Sequence, residues 1–85
     1  MTLQLRADVS TVDTDDGLVL LDERAGRYWQ LNASGAFVLR ALLDGSCAQE
    51  AAGKLTDQHA VTSEKAATDV AALLEHLRAA GLVTG

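Results

Sequence analysis

The first third of the chain has the alternation and turn signals of three β-strands. Apolar and polar residues alternate over residues 3–9, which is the period of a half-buried strand. The acidic run at 13–17 predicts a turn, and the unbroken apolar run at 18–21 predicts a central strand. A short loop at 23–26, which ends in a glycine, leads to a third strand over residues 27–31. The pattern therefore predicts an antiparallel meander whose first and third strands are the edges.

Two helices are predicted to follow directly. Asn32 is a favourable N-cap for a nearly all-apolar helix over residues 33–43, which should be the central helix of the core. Ser46, with Gln49 three residues later, has the pattern of a capping box and predicts the start of a second helix. This helix should be short and lightly packed, because Gly53 lowers its stability by roughly 1 kcal/mol relative to alanine.

A third, amphipathic helix is predicted over residues 64–80. Thr62 or Ser63 is expected to cap it, and Gly81 to end it. Its apolar residues recur at the spacing of one helix face: Ala66, Val70, Leu73, Leu74 and Leu77. Residues 82–83 are expected to form a short apolar tail. The overall prediction is an α+β domain in which a three-stranded antiparallel sheet is followed by three helices.

Composition and charge narrow the classes of function. The chain has 85 residues, which fit a single domain over residues 1–85, with 48% hydrophobic and 22% charged residues. Its net charge of −5 opposes nonspecific binding to nucleic acid or to an anionic membrane surface. No apolar run approaches the roughly 20 residues needed to span a bilayer. The first ten residues lack the apolar segment of a secretory signal, so the cytoplasm is the expected compartment.

The chain offers little for catalysis or for metal binding. A nucleophilic cysteine needs a general base beside it, and the sequence does not place His59 or His76 near Cys47. Cys47 is therefore expected to be a small buried or half-buried side chain. One cysteine and two scattered histidines do not make a zinc site, and the run at 13–17 lacks the frame of a calcium loop. In acyl carrier proteins the modified serine directly follows an aspartate, whereas here Gly45 precedes Ser46. Ser46 is therefore not expected to carry a phosphopantetheine group. We therefore predict no catalytic residue, no metal and no cofactor.

Three helices after strands also suggest a winged helix-turn-helix domain. The versions that bind DNA carry several basic residues on the recognition helix. Here the third predicted helix holds only Lys65 and Arg78, set against Glu64, Asp69 and Glu75. The topology fits such proteins, but the surface does not fit a phosphate backbone.

The third predicted strand holds the only tyrosine and the only tryptophan of the chain, Tyr28 and Trp29. Neighbouring side chains of a strand point to opposite faces of the sheet, so one ring should face the helices and the other should face away. The alternative is that both rings pack on the core. An edge strand also has unpaired N–H and C=O groups, to which a further strand can add. This pattern favours the binding of a peptide or a protein.

The string LDERAGRYWQLNASGAFVLRALLDG, residues 21–45, resembles PqqD-like proteins, the peptide-recognition domains of pathways that make ribosomally synthesised, modified peptides. It is especially similar to the stand-alone recognition proteins of actinobacterial lasso peptide clusters. The matching features are the hairpin, Tyr28 and Trp29, the small residues at 33–36 and the helix end at 42–45. With the helical remainder, the resemblance spans nearly the whole chain.

The resemblance implies a winged helix-turn-helix-like fold and a non-catalytic function. The leader region of a precursor peptide would add to the third strand as an antiparallel strand and lie in the cleft between that strand and the third helix. The domain would deliver the precursor to a separate cysteine-protease-like leader peptidase and then to a cyclase. The alternative is a winged-helix interaction or regulatory domain that is not tied to a leader peptide.

The resemblance also implies which residues bind the peptide. They lie on the second and third strands and on the third helix: Leu20, Leu21, Arg27, Tyr28, Trp29, Gln30, Leu31, Asp69, Val70, Leu73, Leu74 and Leu77. Some of the helix residues must also pack the core, and the sequence does not divide the two sets. Asp69 either pairs with a polar or basic leader group or is simply solvated. Arg24 and Arg27 either contact leader carboxylates or guard the edge strand against aggregation.

Overall fold

The computed structural model describes residues 3–84 and contains, over that range, five strands and three helices. In chain order they are β1 (Gln4–Leu5), β2 (Val9–Thr14), β3 (Gly17–Asp22), β4 (Arg27–Asn32), α1 (Ala33–Leu43), α2 (Ala48–Gln58), α3 (Ser63–Ala79) and β5 (Val83–Thr84). Strands β2, β3 and β4 form an antiparallel sheet in that order. The predicted α+β fold, a three-stranded antiparallel sheet followed by three helices, is confirmed. No helix within residues 3–84 is both long and apolar enough to cross a membrane.

The central position of β3 is the position predicted from its apolar run. Its partners are β2 on one side and β4 on the other, with Leu20 opposite Thr11 and also opposite Trp29. The strand begins at Gly17, where β4 approaches so closely that an added Cβ would lie 2.0 Å from the carbonyl oxygen of Leu31. Only glycine therefore fits at this point of the sheet.

The predicted first strand is wrong in its position. The meander begins at Val9, whereas Gln4 and Leu5 pair with Thr84 and Val83 in a separate two-stranded sheet. The alternation over residues 3–9 reflects real burial, since Leu3 and Val9 are both in the core, but a bend at residues 6–8 divides it between two sheets. The turn, predicted at residues 13–17, covers only residues 15–16, because β2 continues as far as Thr14.

The core lies between the inner face of the sheet and the three helices. Its buried apolar members come from the strands and from every helix: Leu3, Val9, Leu18, Leu20, Ala36, Val38, Leu39, Ala41, Leu42, Ala51, Leu55, Ala66, Val70, Leu77, Leu82 and Val83. Leu82 and Val83, predicted as a tail, are thus part of the core. The backbone N–H of Arg6 donates to the carbonyl of Leu82 at 3.0 Å and fixes the two ends of the described chain together.

The predicted N-cap residues are confirmed for α1 and α3 but not for α2. The side chain of Asn32 accepts from the N–H of Gly35 at 2.8 Å, and this confirms the predicted N-cap of α1. Thr62 accepts from Lys65 N–H at 3.1 Å and caps α3 in the same way. The predicted cap of α2 at Ser46 is wrong, because Cys47 takes that position.

An exposed cysteine therefore replaces the buried or half-buried one that was predicted. The Sγ atom of Cys47 accepts from Glu50 N–H at 3.5 Å, and Glu50 Oε1 accepts from Cys47 N–H at 2.9 Å. This backbone hydrogen bond, with the side-chain one, lowers the pKa of Glu50 below its ordinary value. The Ser46 hydroxyl instead accepts from Lys54 Nζ at 2.8 Å.

Asp22, at the end of β3, organises the β3–β4 loop, a role that no sequence pattern predicted. Its carboxylate is buried and accepts from the N–H groups of Arg24 and Ala25 at 3.1 and 3.2 Å. It also accepts from Arg6 Nη2 at 3.0 Å, an ion pair that joins the N-terminal segment to the hairpin. A carboxylate buried in this way is stable only because each of these donors compensates its charge.

Candidate functional site

The free edge of the sheet at β4 is the first component of the candidate site. Strand β4 pairs only with β3, and no other strand within residues 3–84 adjoins its outer edge. An edge strand leaves every second N–H and C=O group of its backbone pointing away from the sheet. These groups are a template to which another extended chain can hydrogen-bond.

A cleft beside this edge is the second component. It has a volume of about 390 Å³ and lies between the end of β4, the start of α1 and one side of α3. Its walls are partly apolar and partly polar: Gln30, Leu31, Asn32, Ser34, Gly35, Val38, Leu55, Lys65, Asp69, Ala72 and Leu73. The strand edge and the cleft together form a surface that fits an extended peptide, with a backbone template on one side and side-chain contacts on the other.

The two aromatic residues of β4 point to opposite faces of the sheet, as predicted. Trp29 lies opposite Leu20, is half-buried and packs against the core. Tyr28 lies opposite Leu21 on the outer face and is 70% exposed. Trp29 is therefore one of the residues that hold β4 on the core, while Tyr28 remains available to a partner.

Four of the predicted peptide-binding residues line the cleft. Gln30 and Leu31 come from β4, and Asp69 and Leu73 come from α3. The apolar face of α3 thus contributes only Leu73 to the wall of the cleft. The contact of these residues with a peptide stays a prediction.

The other eight predicted residues do not line the cleft; besides Tyr28 and Trp29 they include Arg27, which is exposed at the start of β4 opposite Asp22. Leu20, Val70 and Leu77 are 0%, 1% and 2% exposed and pack in the core, and their contact with a peptide stays a prediction. Leu21 lies on the outer face of the sheet, and Leu74 lies beside a different groove on the far side of α3. The apolar stripe of α3 is wide enough to serve the core and two grooves at once, which a sequence pattern cannot separate.

Sequence reasoning missed part of the cleft. Asn32, Ser34 and Gly35 belong to it because α1 begins directly where β4 ends, so the helix start turns beside the strand edge. Ala72, directly before Leu73 on α3, also belongs to it. The spacing of Asp69, Ala72 and Leu73, at i, i+3 and i+4, was the available signal for a second face on this helix.

The rim of the cleft carries one charge of each sign. Lys65 Nζ lies 3.6 Å from Asp69 Oδ1, one helical turn apart, and both side chains are well exposed. An exposed pair of this kind contributes only about 0.3–0.5 kcal/mol. A charged group of a ligand can therefore replace either partner at little cost.

A second groove lies between α2 and α3, on the opposite side of α3 from the cleft. It is larger, about 1110 Å³, and small side chains form much of its wall. Its lining residues are Ala48, Gln49, Ala52, Gly53, Thr56, Asp57, Ser63, Ala67, Val70, Ala71, Leu74, Glu75, Arg78 and Ala79. Both walls are helices, so it offers no strand edge, and we place the candidate site at β4 despite the greater size of this groove.

The side chains of residues 3–84 include no cluster of three or more His, Cys, Asp or Glu residues placed to hold a metal ion. Cys47 caps a helix, and His59 stacks edge-on against Phe37, with ring centroids 5.5 Å apart. What the described chain presents is a binding surface made of backbone edge and cleft.

Comparison with known proteins agrees with this geometry. Residues 17–83 match the family model described as coenzyme PQQ synthesis protein D (PqqD). A solved structure of lasso peptide synthetase B1, complexed with the leader peptide, is 39% identical, with a TM-score of 0.91 and full coverage of both chains. A second, TbiB1 in complex with the TbiA(beta) leader peptide, is 25% identical, with a TM-score of 0.85, and the match covers 100% of this chain and 96% of the other. A search of curated proteins finds no match. The family match covers most of the chain, from the first residue of β3 to the first residue of β5, and the chain therefore belongs to the PqqD family.

Proposed function

We propose that this protein binds the leader region of a ribosomally synthesised precursor peptide of the lasso type. The leader adds as an antiparallel strand to β4, and the side chains on one side of it enter the cleft between β4 and α3. The protein itself does no chemistry. It presents the bound precursor to a separate cysteine-protease-like leader peptidase, and then to a cyclase.

The observation that carries this proposal is the open edge of β4 beside a side-chain cleft. Backbone hydrogen bonds along the edge supply affinity that does not depend on peptide sequence, and the cleft supplies selectivity. Two structures that resemble this chain over its full length are complexes with leader peptides, and these give the ligand class. A preformed edge limits the ordering cost to the peptide, so we expect a Kd roughly between nanomolar and micromolar.

The fluorescence of Trp29 provides a direct test of binding. It is the only tryptophan of the chain, and it is half-buried on the strand to which the peptide would add. Titration with the leader peptide of a lasso-type precursor from the same organism, in a form that lacks tryptophan, should change its emission and saturate. Absence of binding at tens of micromolar, checked by calorimetry, would overturn the proposal in favour of an interaction domain that is not tied to a leader.

Two neighbouring alanines of α3 provide a matched test of where the peptide lies. Ala72 lines the cleft and Ala71 lines the groove between α2 and α3, and both side chains are exposed. Ala72→Glu should weaken leader binding at least tenfold, about 1.4 kcal/mol, because its side chain would enter the peptide's space. Ala71→Glu makes the same chemical change one residue away and should leave the affinity within twofold.

The fold should tolerate both substitutions, because exposed glutamate is a good helix former and differs little from alanine. Circular dichroism and thermal unfolding of the two variants provide the check. If Ala71→Glu weakened binding and Ala72→Glu did not, the peptide would lie between α2 and α3. If neither variant changed the affinity, α3 would form no wall of the site.

A further inference from the structure

The two ends of the candidate site differ in charge. A leader strand that adds antiparallel to β4 begins beside Asn32, where β4 ends, and runs toward Arg27, where β4 starts. Its N-terminal part therefore meets one set of charged side chains and its C-terminal part meets another. The register of the sheet and the lining of the cleft show which side chains belong to each end.

The end of the site at Asn32 has an acidic turn beside it. Asp15 and Asp16 are both exposed between β2 and β3, directly before Gly17, which pairs with Asn32. Neighbouring strands lie about 4.8 Å apart, so this turn is roughly 12 Å from a peptide strand on the outer edge of β4. Neither carboxylate forms an ion pair with another side chain of residues 3–84.

The start of α3 adds negative charge at the same end. Glu64 is exposed in its first turn, and Asp69 lines the cleft, where Lys65 lies 3.6 Å away and balances one of these charges. Asp13, at the end of β2, is balanced by its ion pair with Arg40. The side chains that remain give four negative charges and one positive charge, a net charge of −3: Asp15, Asp16, Glu64, Asp69 and Lys65.

The starts of two helices offset this charge only in part. Both α1 and α3 begin at this end, and each helix start carries a positive charge of about half a unit that fades within one turn. Asn32 and Thr62 already accept from N–H groups of these two helix starts. This end of the site therefore stays negative by about two units.

The opposite end of the site is close to neutral. Three basic and three acidic side chains lie around the start of β4: Arg6, Arg24, Arg27, Asp8, Asp22 and Glu23. The last two turns of α3 also hold one charge of each sign, on Glu75 and Arg78. Arg27 is exposed on β4 itself, so a positive member of this set is next to the peptide.

We propose that the leader segment that pairs with β4 is preceded by lysine or arginine residues, which lie at the acidic end of the site. The inference rests on the function proposed above, and it names the class of leader sequence that the site selects. Complementary charge speeds the encounter of two partners and disfavours wrong orientations. A leader in the reverse direction would carry its basic residues to the neutral end and lose this attraction.

Peptides that differ only in charge test the inference. The probe is the shortest fragment of a lasso-type leader from the same organism that still changes Trp29 fluorescence, with Lys-Lys, Gln-Gln or Glu-Glu added at its N-terminus and both ends blocked. At an ionic strength of about 10 mM, where charges act over about 30 Å, the Lys-Lys form should bind about tenfold more tightly than the Glu-Glu form. The Gln-Gln form should lie between them. In about 1 M salt the three affinities should agree within about twofold, because screening then limits charges to about 3 Å.

The same pairs added at the C-terminus of the fragment provide the control for direction. They lie at the neutral end, so the Lys-Lys and Glu-Glu forms should differ by less than about threefold at low salt. A larger effect at the C-terminus than at the N-terminus would overturn the inference, as would equal affinities of the three N-terminal forms. If no leader fragment binds at tens of micromolar, the proposed function fails and the inference fails with it. If fragments bind regardless of the added charge, only the inference fails.

Two double variants locate the charge on the protein. Asp15→Asn combined with Asp16→Asn should weaken binding of the N-terminal Lys-Lys form about fourfold at low salt. The turn should be kept, because asparagine is as favourable in turns as aspartate. Asp44→Asn combined with Asp57→Asn changes the net charge equally, from −5 to −3, at exposed positions that do not line the cleft, and should leave the affinity within about twofold. Equal losses in the two double variants would assign the attraction to net charge alone and overturn the inference.

Discussion

At the scale of single residues, the start of α2 depends on an unusual N-cap. Cys47 occupies the position where serine, threonine, aspartate or asparagine is most favourable, and its sulfur accepts the Glu50 N–H only at 3.5 Å. Sulfur is a weak acceptor, so this half of the capping box contributes less than an oxygen would. The other half, from Glu50 Oε1 to Cys47 N–H, is a normal hydrogen bond at 2.9 Å.

We expect Cys47→Ser to stabilise the protein. The hydroxyl oxygen should replace the weak sulfur acceptor and raise the free energy of unfolding by about 0.5–1 kcal/mol. Urea denaturation of the serine and alanine variants provides the measurement, because Cys47→Ala removes the acceptor altogether. The expected order of stability is serine above cysteine, with alanine no better than cysteine. A serine variant no more stable than the alanine variant would show that this cap contributes nothing.

At the scale of the elements, two glycines differ in whether a side chain would fit at their position. At Gly17 an added Cβ would lie 2.0 Å from the Leu31 carbonyl oxygen, whereas at Gly53, inside α2, it would meet nothing within 4 Å. Gly17→Ala should therefore separate β3 from β4 and lower the free energy of unfolding by roughly 3 kcal/mol. Gly53→Ala should raise it by about 0.5–1 kcal/mol, because alanine is the better helix former.

Chemical denaturation compares the two variants directly, and leader binding provides a second measurement. Gly17→Ala should also weaken leader binding, since the shift occurs where β4 meets the cleft, whereas Gly53→Ala should not. Equal stability of the two variants would mean that β4 can move away from residue 17 at no cost.

The same elements explain how far the sequence predicts this structure. Strand β3, the β3–β4 hairpin and the starts of α1 and α3 have strong local signals, namely an apolar run, a loop glycine and capping side chains. Strand β2 is rich in β-branched residues but lacks a clear apolar alternation, because it is an edge strand with polar residues on both faces. The division of Val70, Leu73 and Leu74 among core, cleft and groove depends on how α3 is rotated against its neighbours.

At the scale of the whole molecule, the two ends of the described chain pack against each other and against the rest of the domain. Strands β1 and β5 pair with each other, and Arg6 links this pair to the β3–β4 loop through Asp22. Leu82 is 0% exposed although it lies close to the C-terminus. A chain of 85 residues has a thin core, so each fully buried leucine carries a large share of its stability.

Leu82→Ala should therefore destabilise the protein by about 2–4 kcal/mol, the usual cost of removing a fully buried leucine side chain. Thr84→Ala, two residues later and exposed, should stay within about 0.5 kcal/mol of the unsubstituted protein. Because Leu82 does not line the cleft, the folded fraction of Leu82→Ala should bind leader with unchanged affinity. Thermal unfolding and Trp29 titration at low temperature measure the two effects separately. Equal melting temperatures for the two variants would mean that the C-terminal segment packs on the domain without stabilising it, and a loss of leader affinity would mean that closure of the chain ends also positions β4.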